Sequence, residues 1–196
     1  MTSARTSARA AAAAAATAAL VAATFASGAS TAAAHDSDHG RDSGRGHPAR
    51  DLAAARKATA PYLDIANARA AGFGELRDAA GIACIDNPAG GMGVHYVNGA
   101  RIDTVLDPRL PEVLVYEPGA NGSMRLVALE YVIFASAWTG DRPPKLFGQS
   151  FEYMPGQDEA NPNRYGLPAF WELHAWVWRH NPNGLFDDWN PRVSCP

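Results

Sequence analysis

The sequence RLVALEYVIF, residues 125–134, decides the fold, because it is apolar on both faces of an extended strand. One face carries Leu126, Ala128, Glu130, Val132 and Phe134. The other face carries Val127, Leu129, Tyr131 and Ile133. A strand of this kind is typical of the buried centre of a sheet. Glu130 is therefore predicted to point into the interior, where a carboxylate is costly unless it is paired, protonated or bound to a metal.

Strands are also predicted at residues 93–97, 113–117 and 170–178, with a hairpin turn at residues 119–122 and a proline-rich loop before residue 170. The segment before them has a helical period that begins at Pro48, is kinked at Pro61 and stops at Gly72. Helical turns are expected between residues 73 and 84. Helices followed by an antiparallel sheet predict an α+β fold, with a curved antiparallel sheet or a small barrel.

Three of these strands each carry a side chain that binds metals or protons. His95 follows the glycine-rich GGMG segment, Glu130 lies in the central strand, and His174 shares one face of the last strand with Glu172. Two histidines and one carboxylate form a common facial triad with open positions. His95, Glu130 and His174 are therefore predicted to bind a single divalent ion, namely Fe, Zn, Mn or Cu. Glu172 is predicted to be the catalytic residue, as a general base or an orienting group, with Tyr96 and Tyr131 as nearby donors.

Other interpretations of these residues remain open. The histidines and the carboxylate can form a hydrogen-bonded network inside the core, without a metal. The chain can also be a binding module in which tryptophan side chains and buried polar groups hold a small-molecule ligand. A structural or adhesive envelope protein is favoured only if no pocket exists. The leading interpretation is an exported protein that binds one metal ion, and the open coordination positions would suit a metal-dependent hydrolase or oxidase.

The first residues have the layout of a secretory signal peptide. Arg5 and Arg9 precede an uncharged, alanine-rich run, and Ala32 and Ala34 satisfy the small-x-small cleavage rule. The predicted organisation is a signal peptide at residues 1–34, a disordered linker at 35–47 and a single α+β domain at 48–196. The protein is then secreted or held in the cell envelope, with no membrane anchor after cleavage.

Cysteine content, net charge and the absence of known motifs limit the compartment, the partners and the catalytic classes that the sequence allows. The chain has two cysteines, Cys84 and Cys195, which are predicted to form a disulfide in an oxidising compartment. Seventeen basic and twenty acidic residues give a net charge of −3, and no basic cluster is present, so nucleic acid is not expected as a partner. The sequence has no Gly-x-Ser-x-Gly elbow and no phosphate-binding loop.

Four segments carry a resemblance to a known group of proteins. They read GMGVHYVN, PEVLVYEP, ALEYVIFA and ELHAWVWRHNPNGLFDDWNPRVSC. Through them, residues 50–196 resemble a family of small exported bacterial proteins without assigned function. The resemblance implies export, but it implies neither a substrate nor a mechanism. His95, Glu130 and His174 all lie within the resembling segments.

Overall fold

The computed structural model describes residues 47–196. The predicted signal peptide at residues 1–34, and all of the predicted linker except His47, lie outside the described residues. Within residues 47–196, no helix is long and apolar enough to cross a membrane.

Two helices open the described part of the chain. Helix α1 spans Pro48–Thr59, a 3-10 turn spans Ala60–Leu63, and helix α2 spans Ile65–Ala70. The predicted break at Pro61 is confirmed, because proline cannot donate the hydrogen bond that would continue α1. The Asp64 carboxylate restarts the helix by accepting a hydrogen bond of 2.9 Å from the backbone N–H of Ala66. Gly72, with φ of 91°, ends it as predicted.

Nine strands follow in the described residues: β1 (Gly74–Glu75), β2 (Cys84–Asn87), β3 (Gly90–Val97), β4 (Val113–Pro118), β5 (Met124–Phe134), β6 (Lys145–Leu146), β7 (Gln149–Ser150), β8 (Glu152–Met154) and β9 (Phe170–Ala175). Seven of them form an antiparallel sheet in the order β1-β3-β4-β5-β9-β8, with β2 also paired to β3. Strands β6 and β7 form a separate hairpin. The predicted α+β class, with helices preceding an antiparallel sheet, is therefore confirmed.

The two faces of the sheet bury different groups. The face towards the helices holds a core that includes Ala55 of α1, Ala68 of α2 and the aromatic rings of Tyr96, Tyr116 and Tyr131. The opposite face holds a smaller apolar cluster. The members of this cluster are Val113, Val115, Val127, Ala128, Val132, Phe170, Trp176 and Val193. Glu130, Glu172 and His174 lie on this second face, which positions the candidate site.

A β-bulge changes the predicted face assignment of the first half of β5. The pairing of β4 with β5 shifts between Val115, which lies opposite Ala128, and Tyr116, which lies opposite Leu126. Val127 is the extra residue, so Leu126 lies in the helix-side core and not on the face of Glu130 as predicted. A bulge reverses strict alternation in this way, and only the partner strand reveals it. The faces predicted beyond the bulge are confirmed.

Three predicted elements differ from the structure. The helical turns expected at residues 73–84 are wrong, because β1 and the start of β2 form extended edge pairs with β3. The last strand ends at Ala175 and not at residue 178, because the Trp176 N–H donates to the carbonyl of Leu185 instead of continuing the ladder. The long loop predicted after β5 contains the short strands β6, β7 and β8.

The predicted disulfide is confirmed. Cys84 and Cys195 are bonded, with their Cα atoms 5.6 Å apart, and the bond fastens the C-terminal segment beside β3. There the N–H of Asn190 donates to Gly91, and the N–H of Gly91 is shared between the carbonyls of Asn190 and Val193. A Cβ atom at Gly90 would lie 2.5 Å from the Asn190 backbone, so this close approach requires glycine.

Candidate metal centre

Strand register brings the three predicted ligands to one place. Glu130 in β5 lies directly opposite His174 in β9 and opposite Val113 in β4. His95 in β3 lies opposite Val115 in β4, two residues from Val113 and on the same face. Because side chains at i and i+2 of a strand share a face, His95, Glu130 and His174 all project from the same side of the sheet. The predicted convergence of these side chains is confirmed.

The distances between the ligand atoms fit a small cation better than a hydrogen bond. One nitrogen or oxygen from each of the three side chains lies within 4.8 Å of the others, and the residues are only 3%, 6% and 2% exposed. His95 Nε2 lies 3.7 Å from Glu130 Oε2, which is too long for a hydrogen bond. Ligands of a tetrahedral ion at 2.0–2.1 Å would lie about 3.4 Å apart.

His174 supplies a buried nitrogen that lacks a partner. In the described part of the chain, no group forms a hydrogen bond with His174 Nε2. The ring stands at 81° to the ring of His95, with the two centroids 6.2 Å apart, and lies 4.8 Å from the Trp176 ring. Leaving a buried polar atom without a partner has an energetic cost, so such atoms often mark a bound ion or water.

Burial sets the charge of both imidazoles. It lowers the pKa of His95 and lowers the pKa of His174 to about 4, and in both cases the carboxylate of Glu130 opposes the shift. Both rings are therefore neutral near pH 7, which leaves a nitrogen lone pair available to bind a metal.

Glu172 lies beside the cluster but is not one of its three converging residues. It is 5% exposed, lies opposite Val132 in β5 and opposite Glu152 in β8, and shares the β9 face of His174. Burial is the main cause that raises the pKa of Glu172 well above its usual range, and the charge of Glu130 adds to it. The catalytic role assigned to Glu172 from the sequence remains a prediction.

Two cavities meet at the cluster. One, here called the apolar cavity, has a volume of about 170 Å³. It is lined by Leu76, His95, Val97, Ile102, Val113, Glu130, Val132, Phe134, Tyr165, Leu167 and Phe170. The other, here called the polar cavity, has a volume of about 210 Å³ and also contains His95, Glu130 and Tyr165 in its wall. The rest of its wall includes Asn163, Arg164, Glu172 and Asp188. His95 and Glu130 thus border one apolar and one polar cavity, whereas His174 is not among the residues that line either.

Sequence reasoning missed the residues that the loops bring to the site. Tyr165, from the loop between β8 and β9, places its hydroxyl 3.5 Å from His95 Nδ1, the ring nitrogen that faces away from Glu130. Asn163 holds this loop by donating to the carbonyls of Pro155 and Leu167 at 2.7 and 2.8 Å. Asp188 comes from the C-terminal segment, and burial raises its pKa to about 7. In the sequence, the loop between β8 and β9 is marked only by its proline and asparagine content, which is typical of turns.

The two tyrosines predicted as nearby donors lie elsewhere. Tyr96 and Tyr131 are next to His95 and Glu130 in sequence, so their side chains project from the opposite face of the sheet. The Tyr96 hydroxyl accepts a hydrogen bond from Arg69, and the Tyr131 hydroxyl donates to the carbonyl of Pro108. This part of the prediction is wrong, because adjacent residues of a regular strand project from opposite faces of the sheet.

Comparisons of the chain with protein-family models, with curated proteins and with solved structures find no match. The resemblance to small exported bacterial proteins stays a prediction.

Proposed function

We propose that this protein binds one divalent metal ion through His95, Glu130 and His174, outside the cytoplasm. The observation that carries the proposal is a buried set of three ligand atoms, from three strands of one sheet, within 4.8 Å of one another. The unpartnered Nε2 of His174 supports it, because a metal would satisfy that nitrogen. The disulfide supports export, since such bonds persist in oxidising compartments.

Three protein ligands leave at least one coordination position for water or substrate. A bound divalent ion polarises a substrate oxygen or lowers the pKa of a coordinated water, whereas a redox-active ion supports oxidation. The chemistry proposed is metal-dependent hydrolysis or oxidation. We expect Glu172 to accept a proton, and its position in the wall of the polar cavity beside Glu130 and His95 supports this role. We expect Tyr165 to orient the His95 ring, because its hydroxyl lies 3.5 Å from His95 Nδ1.

Metal titration of the chelator-treated protein tests the proposal. Wild-type protein should take up one equivalent of Zn²⁺ in a calorimetric titration, and His174→Phe should take up none, because an aromatic ring of similar size fills the space without a ligand atom. His180→Phe is the matched control, since His180 is exposed and lies outside the cluster. Absence of Zn²⁺, Fe²⁺, Mn²⁺ and Cu²⁺ binding to the wild-type protein would refute the proposal.

The apolar cavity favours a second candidate, a metal-free module that binds a small ligand. A mostly apolar pocket with a few convergent polar groups is the usual form of such sites. This candidate predicts that ligand binding is the same in metal-loaded and chelator-treated protein. The third interpretation, a structural envelope protein, depended on the absence of a pocket, and the two cavities remove that premise.

A further inference from the structure

The size of the apolar cavity limits what it can hold. Its volume is about 170 Å³. A cavity of about 150 Å³ lined by leucine, isoleucine and phenylalanine side chains in another protein stays dry and binds benzene. A single six-membered ring therefore fits the apolar cavity.

The wall of the cavity indicates the shape and charge of the ligand. Phe134 and Phe170 lie opposite each other on β5 and β9 and, with Tyr165, present aromatic surface to the cavity. Aromatic rings favour stacked or edge-to-face contact with another ring. No lysine or arginine is among the described residues that line it. A charged group inside the cavity would lose its hydration without gaining a partner, so the part of the ligand that lies there is apolar and uncharged.

Few residues of the cavity wall carry polar side chains. Among the described lining residues, only His95, Glu130 and Tyr165 carry polar side chains, and the first two belong to the proposed metal centre. A divalent ion bound to one carboxylate and two neutral imidazoles keeps one net positive charge. That charge is matched by a single anionic oxygen at the open position.

We propose that the apolar cavity is the ligand pocket of the metal centre and takes a monocyclic phenol, with its ring in the cavity and its oxygen on the metal ion. This inference rests on the proposed metal site. The phenol enters uncharged, its O–H bond breaks, the oxygen bonds to the metal, and the proton passes to water by way of the polar cavity. A carboxylate ligand would already be charged when it entered and would have to be desolvated first.

Cobalt gives the site a direct readout. The secreted protein is loaded with Co²⁺, and phenol, toluene and acetate are added separately while visible absorption and heat of binding are recorded. Toluene supplies the ring without a donor, and acetate supplies the donor without a ring. Phenol should bind about tenfold more tightly than either and should shift the Co²⁺ absorption bands, because both parts of the site are then used.

A variant that fills the cavity tests the location. Val97, a half-buried residue of β3, lines the apolar cavity, so Val97→Phe should weaken phenol binding about tenfold and leave Co²⁺ binding unchanged. Val105→Phe is the matched control, because Val105 is 66% exposed and lies outside this cavity. If Val97→Phe does not fold, Leu167→Phe replaces it, because Leu167 lines the same cavity from a loop. The comparison of phenol, toluene and acetate on the wild-type protein tests the inference without any variant.

The outcomes separate the inference from the proposed function. Absence of Co²⁺ binding would refute the metal site itself. Normal Co²⁺ binding with no preference for phenol over toluene or acetate would overturn the inference and leave the metal site in place. Phenol binding that is equal with and without metal, and that leaves the Co²⁺ bands unchanged, would also overturn it, because the oxygen would not be on the ion.

Discussion

Replacing Glu130 with glutamine should weaken metal binding more than about a hundredfold and leave the fold intact. Glutamine keeps the shape of the side chain but removes its charge, and an amide is a poor ligand beside two neutral imidazoles. Structural zinc sites with four ligands contribute apparent binding free energies of roughly 10–16 kcal/mol, or about 3 kcal/mol for each ligand. The loss of one ligand from the cluster of His95, Glu130 and His174 should therefore raise the Kd more than about a hundredfold.

Thermal unfolding measures this change through the linkage of binding to stability. Free Zn²⁺ at about a thousand times its Kd should stabilise the wild-type protein by about 4 kcal/mol. For a folded part of about 150 residues, that corresponds to a rise in Tm of roughly 12 °C. At the same Zn²⁺ concentration, a Kd raised a hundredfold leaves only about 1.4 kcal/mol of stabilisation, so the Tm of Glu130→Gln should rise by no more than about 4 °C. Glu117→Gln is the control, since Glu117 is a half-buried strand residue outside the cluster and should respond as wild type does.

The metal-free proteins distinguish the metal centre from a hydrogen-bonded core network. In the metal account, Glu130→Gln without metal is at least as stable as wild type, because a buried charge and its desolvation cost are removed. In the network account, the same change strands a buried partner and lowers stability by about 1–3 kcal/mol. The metal account would be refuted if no metal changed the Tm of the wild-type protein and if Glu130→Gln were destabilised.

Three further predictions concern the rest of the chain. Cys195→Ser should lower the free energy of unfolding in a urea titration by up to about 4.8 kcal/mol, because the bond to Cys84 spans 111 residues; a loss below about 1 kcal/mol would show that the bond contributes little. Burial raises the pKa of Glu112 to about 8, from 4.5, so its contribution to stability is complete below pH 4.5 and is lost as the pH rises through 8. Wild-type stability should therefore fall by roughly 5 kcal/mol over this range relative to Glu112→Gln, and parallel pH profiles would contradict the shift. Intact mass of the secreted protein should match a chain that begins at Ala33 or His35, whereas a cytoplasmic chain that keeps its first residue would disprove export.

The central strand and its carboxylate could be predicted from the sequence because their signal is local. A run that is apolar on both faces and rich in β-branched and aromatic residues is typical of a buried strand, and Glu130 stands out within it. His174 was found in the same way, since β9 alternates clearly between its two faces. Register between the strands is not visible in the sequence, and the pairing of β5 with β9 supplies it.

What could not be predicted depends on contacts between distant residues. The bulge at Val127 is defined by the pairing of β5 with β4, and nothing in the local pattern marks it. Strand β1 has only two residues and forms by pairing with β3, so its sequence is too short to show an alternation of apolar and polar residues. Tyr165 and Asp188 reach the site from irregular segments. The position of the Tyr165 loop depends on side-chain hydrogen bonds such as those of Asn163, which no periodic pattern in the sequence reveals.

The metal content of the protein, purified without added metal from the compartment to which it is exported, tests the central claim most directly. Elemental analysis of the wild type and of Glu130→Gln, handled in parallel, should find about one equivalent of a single transition metal in the wild type and almost none in the variant. A wild-type protein that carries no metal, or a variant that carries as much as the wild type, would contradict the assignment of His95, Glu130 and His174 as the ligands.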